Sequence, residues 1–333
     1  MGKKYINSQK IIIGGFNPGE TIKLVSKVNF FIVGAPKSGT TSLYTYLSTH
    51  PDIFFPSHKE PNFFAEDYPN IGGRLKTKSE YEKLFASHEQ KLAGDASVCY
   101  LSSDTAPQAI KSYNPQAKII IMLRNPIDLF ISEHSQLLYS FYENIENPFK
   151  AWQMQPLRKK GEHIPASCRE PQTLQYKRVC VLGKNLQKYI ELFAKNKILT
   201  LFFEDFVCSP QTVYQTVLHF LELDDDGRKD FPKINEAKYH KRNWLSKWLI
   251  SPPGILGKAH AGIRRKVASS DSIFIKSIEN IARNLTTRNS VKKTSHCLSQ
   301  DEFHVILSEL RDDIDLLSSL TGRELSHWKT TSQ

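Results

Sequence analysis

Short apolar runs alternate with amphipathic stretches along the chain, and that alternation predicts an α/β fold around a mainly parallel sheet flanked by helices. NFFIVG (29–34), KLAGDA (91–96), KIIIML (118–123) and ILTLFFED (198–205) read as strands. Helices are expected near 39–49, 79–87, 105–113, 126–141, 177–195 and 210–221. Farther on, Phe303, Ile306, Leu307, Leu310, Ile314, Leu317 and Leu320 recur at steps of three and four, one buried helical face, and Gly322 ends that helix. Residues 143–175 carry little periodicity and scattered prolines and read as a loop-rich insertion; no repeat or low-complexity tract is visible.

The 333 residues, 40% hydrophobic, suffice for one domain over 29–328 behind an N-terminal extension, 1–28. No apolar run is long enough to span a bilayer, and MGKKYINSQKIIIGGF lacks the apolar core and cleavage site of a secretory signal. Ile6 stands where a myristoylation signal requires Ser or Thr, so the expectation is a soluble, cytoplasmic protein. Five cysteines lie far apart, with no spacing for zinc or redox chemistry, and read as reduced thiols.

Charge changes the picture more. Residues 228–298 hold sixteen Lys and Arg against four Asp and Glu, a net of +12 against +11 for the whole chain, so the positive charge belongs to this segment. It reads either as a lid or acceptor wall for an anionic ligand or as a solvated basic face. Within it, 241–266 mixes Trp, Leu and Ile with basic residues, which leaves peripheral membrane contact open. Nucleic acid is not expected, because no recognition fold accompanies the charge.

The chemistry concentrates in FFIVGAPKSGTTSLYTYLSTHP (30–51). Gly34 and Gly39 allow a tight turn, and the backbone N–H groups opening the next helix form an anion cradle. A nucleotide kinase would place lysine directly after the second glycine, where Thr40 stands; the lysine is instead Lys37, two residues before Gly39. In KIIIMLRNPIDLFISEHSQ (118–136), a strand delivers Arg124 and the next helix carries Ser132, eight residues on, so both can face one anion.

These two stretches resemble the sulfotransferase family, in particular its bacterial and heparan sulfate N- and O-sulfotransferase branch, and the resemblance covers most of 29–328. It implies a P-loop-NTPase-like sulfotransferase fold and the donor 3′-phosphoadenosine 5′-phosphosulfate, leaving 3′,5′-adenosine bisphosphate, with no metal. Lys37 would act on the phosphosulfate, Ser38, Gly39, Thr40 and Thr41 on the 5′-phosphate, and Arg124 with Ser132 on the 3′-phosphate. KEPNFF (59–64) resembles the segment holding the family's glutamate base, which falls on Glu60, with His58 the alternative base and Lys59 either a sulfuryl or acceptor contact or a solvated lysine. His50 reads as structural. The resemblance makes carbohydrate the first acceptor class and a lipid or small alcohol the second.

The chain departs from the family in two places. GDASVCYL (94–101) has Ala96 where a lysine often stands, and Cys180 and Leu182 replace a glycine and tyrosine, which puts adenine contact there in doubt. Lys241 and Arg242 fall where basic residues often approach the nucleotide. The rival readings are a P-loop metabolite kinase and a non-catalytic anion- or membrane-binding protein.

Overall fold

The computed structural model describes residues 27–86, 88–234 and 298–330, together with a short antiparallel pairing of Tyr239–His240 with Ser290–Val291. Four strands arise from the predicted apolar runs: β1 (Phe30–Gly34), β3 (Leu92–Asp95), β4 (Lys118–Leu123) and β5 (Ile198–Phe202). The fifth, β2 (Ile53–Phe54), is too short to leave a periodic signal.

The sheet order is β2-β3-β1-β4-β5, and each neighbouring pair runs parallel. From β1 the chain moves outward to one side through β2 and β3, then crosses to the other side with β4 and β5. The carboxyl end of β1 therefore lies where the strand order reverses, the place where open parallel sheets bind ligands. Between β1 and β4 the register slips at that same end, as Ile32 faces Ile120 but Gly34 faces Ile121.

Successive residues of the central strands feed opposite layers. Phe31, Val33, Ile119 and Ile121 pack into one core, Phe30, Ile32, Ile120 and Met122 into the other, which explains why these strands read as continuous apolar runs. The helices in chain order are α1 (Thr40–Leu47), α2 (Lys78–Lys83), α3 (Ala106–Tyr113), α4 (Pro126–Tyr139), α5 (Pro148–Gln153), α6 (Gln155–Lys159), α7 (Tyr176–Cys180), α8 (Leu182–Leu192), α9 (Phe203–Cys208), α10 (Pro210–Leu221) and α11 (Gln300–Thr321). α11 opens on a capping box between Ser299 and Glu302 and ends at left-handed Gly322. Among the described residues, no helix is long and apolar enough to cross a membrane.

Three elements differ from expectation. The predicted strand 198–205 stops at Phe202 and passes directly into α9. The predicted helix 177–195 is two helices, α7 and α8, broken at Val181 (ψ 70°). The break follows from α11: Asp313 accepts from the N–H groups of Gly183 (2.8 Å) and Lys184 (2.9 Å), so a partner 130 residues away restarts the helix. Residues 143–175, expected to be loop-rich, hold α5 and α6 around a fully buried pair in which Arg158 donates to Glu143 at 2.5 and 2.7 Å. Burial alone would raise the Glu143 carboxyl, but donation from Arg158, Tyr176 and the Ile145 N–H holds it below the ordinary carboxylate range.

Candidate functional site

The loop after β1 turns through two left-handed residues, Lys37 (φ 58°) and Gly39 (φ 85°). Besides that conformation, space requires glycine at 39, since a β-carbon there would sit 3.0 Å from the Phe206 ring and 3.2 Å from that of Phe203. α1 begins directly afterwards, with no side-chain cap and no acidic residue in its first turn. Its free N–H groups and positive dipole end therefore open onto the loop mouth. Ser38 and Thr40 are buried there and Thr41 is half-buried.

β4 delivers Arg124 to the same place. One guanidinium nitrogen donates to the Lys37 carbonyl at 2.8 Å, and the group lies over the Phe203 ring at 4.7 Å. Its buried Nε has no hydrogen-bond partner among the described residues. Burial pulls the Arg124 pKa below that of a free arginine, an effect that Asp128 and Glu204 oppose. A half-buried cation with a buried donor to spare is stabilised by an anion, so the residues here fit a phosphate.

α4 starts at Pro126, capped by the Asn125 side chain, and presents Ser132 half-buried with its hydroxyl unbonded among the described residues. Four residues on, Gln136 accepts from Lys37 Nζ at 3.3 Å. Positions four apart share a helix face, so Ser132 lies on the side of α4 that meets the loop. Glu133 belongs to this cleft too: burial raises its carboxyl, Lys37 opposes the rise and Glu60 adds to it.

Glu60 (φ 58°) and Asn62 (φ 51°) are both left-handed, and the turn is anchored from β3. The Asn62 N–H donates to Ser97 Oγ (3.0 Å), which donates to Asp95 Oδ1 (2.7 Å). Tyr81 and Tyr100 donate to the other Asp95 oxygen at 2.9 and 3.0 Å. Burial pushes the Asp95 carboxyl up to about 6, against the three hydroxyls and helped by the Glu60 charge. Beside Glu60, the Lys59 ammonium lies 2.6 Å from Glu60 Oε1, 3.5 Å from Thr41 Oγ1 and 5.6 Å from the Tyr44 ring.

The structure thus brings Lys37, Arg124 and one face of α4 together, and joins Glu60 to Thr41 through Lys59. His58 Nε2 bonds instead to the Gly73 carbonyl at 2.8 Å. His50 is buried; Nδ1 accepts from the Asp52 N–H, which leaves Nε2 to donate to the Asp224 carbonyl. Cys180 and Leu182 are buried in the core, and Lys241 and Arg242 lie outside the described residues. Sequence reasoning missed Gln136, the Phe203 and Phe206 wall, and the Asp95–Ser97–Asn62 chain. Only Gln136 left a signal, its four-residue spacing from Ser132; the Asn62–Ser97 link and the approach of Phe203 and Phe206 to Gly39 join positions 35 or more apart.

A stretch of 113 residues is 35% identical to the membrane-associated sulfotransferase kil1 of Dictyostelium discoideum, covering 34% of this chain and 23% of that protein. Over 258 residues the chain is 24% identical to mouse (Mus musculus) carbohydrate sulfotransferase 15, covering 62% of this chain and 45% of the relative. The chain thus spans less than half the length of either. Its fold matches the crystal structure of a sulfotransferase from Alicyclobacillus acidocaldarius with a TM-score of 0.65 at 24% identity, over 92% of this chain and all of that one. Residues 27–266 match the family described as the sulfotransferase domain, and with more than half its length so matched the chain belongs to that family.

Proposed function

We propose that the chain transfers a sulfuryl group from 3′-phosphoadenosine 5′-phosphosulfate to a hydroxyl or amine of a carbohydrate. The observation that carries the reading is Arg124, a half-buried arginine whose buried Nε has no partner among the described residues, bonded to the Lys37 carbonyl beside an uncapped helix start. Two anion-binding features, one for each end of a bisphosphorylated nucleotide, converge there. Carbohydrate is favoured over a lipid or small alcohol by the mouse relative's name and by KEPNFF.

Each residue's part follows from its position. The first N–H groups of α1, with Ser38, Thr40 and Thr41, hold the 5′-phosphate; Arg124 and Ser132 take the 3′-phosphate. The donor supplies sulfur already activated by a phosphate leaving group. Glu60 removes the acceptor's proton as the acceptor atom bonds to sulfur, and the sulfur–oxygen bond to phosphate breaks with its electron pair going to phosphate. Lys37 stabilises the charge gathering there.

The test is transfer of labelled sulfate from the donor to desulfated glycosaminoglycans, with extracted lipids and small alcohols in parallel. Wild type is expected to label a glycosaminoglycan. Glu60→Gln is expected to lose about 100-fold or more of that rate while binding 3′,5′-adenosine bisphosphate normally. Labelling confined to lipid would remove carbohydrate as the acceptor, and a fully active Glu60→Gln would remove Glu60 as the base.

A further inference from the structure

Three cations meet at the mouth of the loop, and their partners differ. Arg124 is turned back to the Lys37 carbonyl, and the Lys37 ammonium reaches across to Gln136. Lys59 touches both the donor loop, through Thr41 Oγ1 at 3.5 Å, and the candidate base, through Glu60 Oε1 at 2.6 Å. We propose that Lys59 is a catalytic cation of this site, whose ammonium binds the oxygens of the transferring sulfuryl group and ties that group to Glu60. The proposal rests on the donor reading above.

Position comes first. Thr41 is the second residue of α1, whose opening N–H groups form the phosphate cradle, and a sulfuryl group is attached directly to that phosphate. A cation within 3.5 Å of Thr41 is therefore within reach of it. Next comes valence. An ammonium has three donors; Glu60 takes one, Thr41 lies near a second, and the Tyr44 ring at 5.6 Å backs the charge. The Lys59 side chain is 28% exposed, so it is not sealed off from a ligand.

Charge balance points the same way. The C-terminal end of β3, which anchors the Glu60 turn, ends in Asp95, Ala96 and Ser97, all buried and none cationic. Glu60 and Glu133 bring two carboxyls to a cleft that receives an anionic group, and beside Lys37 and Arg124 it is Lys59 that pairs with Glu60 there. Lys59 neither gives nor takes a proton in the transfer. As the acceptor's proton passes to Glu60, the ammonium loses its carboxylate partner and its charge turns to the sulfuryl and phosphate oxygens.

Because the sulfuryl group is the whole difference between donor and product, the two ligands separate this role from a general one, and no acceptor is needed. The experiment is calorimetric titration of 3′-phosphoadenosine 5′-phosphosulfate and of 3′,5′-adenosine bisphosphate into wild type, Lys59→Met and Lys59→Arg. Lys59→Met is expected to weaken the phosphosulfate by about tenfold or more and the bisphosphate by no more than about twofold, with Lys59→Arg recovering most of the loss. Unchanged phosphosulfate affinity, or equal weakening of both ligands, would overturn the proposal and leave the donor site standing. Failure of wild type to bind either ligand would remove the donor reading itself, and the role of Lys59 with it.

Discussion

At φ 85°, Gly39 holds a backbone conformation that strains any residue with a β-carbon, and the Phe203 and Phe206 rings fill the space such a carbon would need. Gly39→Ala is expected to weaken 3′,5′-adenosine bisphosphate by at least about tenfold and to cost about 1–3 kcal/mol of stability, read by calorimetry and thermal unfolding. Asp95 gives a pH signature. Its carboxyl keeps its proton up to about pH 6 in the folded chain against an ordinary value of 3.8, so between those values the folded state binds more protons than the unfolded one. Stability from this group therefore falls as pH rises through that window, by about 3 kcal/mol, and the cost is complete above about pH 6. Relative to Asp95→Asn, wild type is expected to lose stability from about pH 4 to pH 6 and to run level above it; a relative gain over that range would contradict the buried-carboxyl reading. At this scale Lys37, Arg124, Ser132 and Glu60 were legible because each sits in a local motif. The Asp95–Ser97–Asn62 chain was not, because hydrogen bonds between a strand end and a turn 35 residues earlier leave no mark on either stretch.

Among the elements, α8 shows packing overruling propensity. An exposed helical glycine changed to alanine gains up to about 1 kcal/mol. At Gly183, however, a β-carbon would lie 2.5 Å from the Asp313 carbonyl oxygen and 3.0 Å from the Leu317 nitrogen, both backbone atoms of α11. Gly183→Ala is expected to destabilise by about 1–3 kcal/mol, lowering the unfolding temperature, and to leave bisphosphate affinity within about twofold. A more stable variant would show that α8 and α11 are not in close contact. The same contact explains why periodicity alone predicted one helix over 177–195: the residues around Val181 carry no local break signal, and the break is imposed by Asp313. β5 was overrun because Phe203 continues the apolar run although the backbone has already turned into α9. α5 and α6 escaped notice because they are only six and five residues long, too short to show a periodic stripe, and α6 is held by the buried Arg158–Glu143 pair.

For the whole molecule, the parallel sheet was readable because its central strands are buried on both faces, so the chain shows them as unbroken apolar runs. That sheet places the end of β1 at the reversal of strand order, and both anion-binding features come from there: the loop before α1 and the arginine after β4. A bisphosphorylated nucleotide spanning them would connect two elements that sequence reading could identify only separately. The most direct measurement is calorimetric titration of 3′,5′-adenosine bisphosphate into wild type and Arg124→Ala, beside 5′-AMP and ATP with magnesium. Metal-independent binding that requires the 3′-phosphate and falls by about 100-fold in Arg124→Ala is the expected result. A preference for ATP with magnesium, or no binding of the bisphosphate, would contradict the assignment of this site to a phosphosulfate donor.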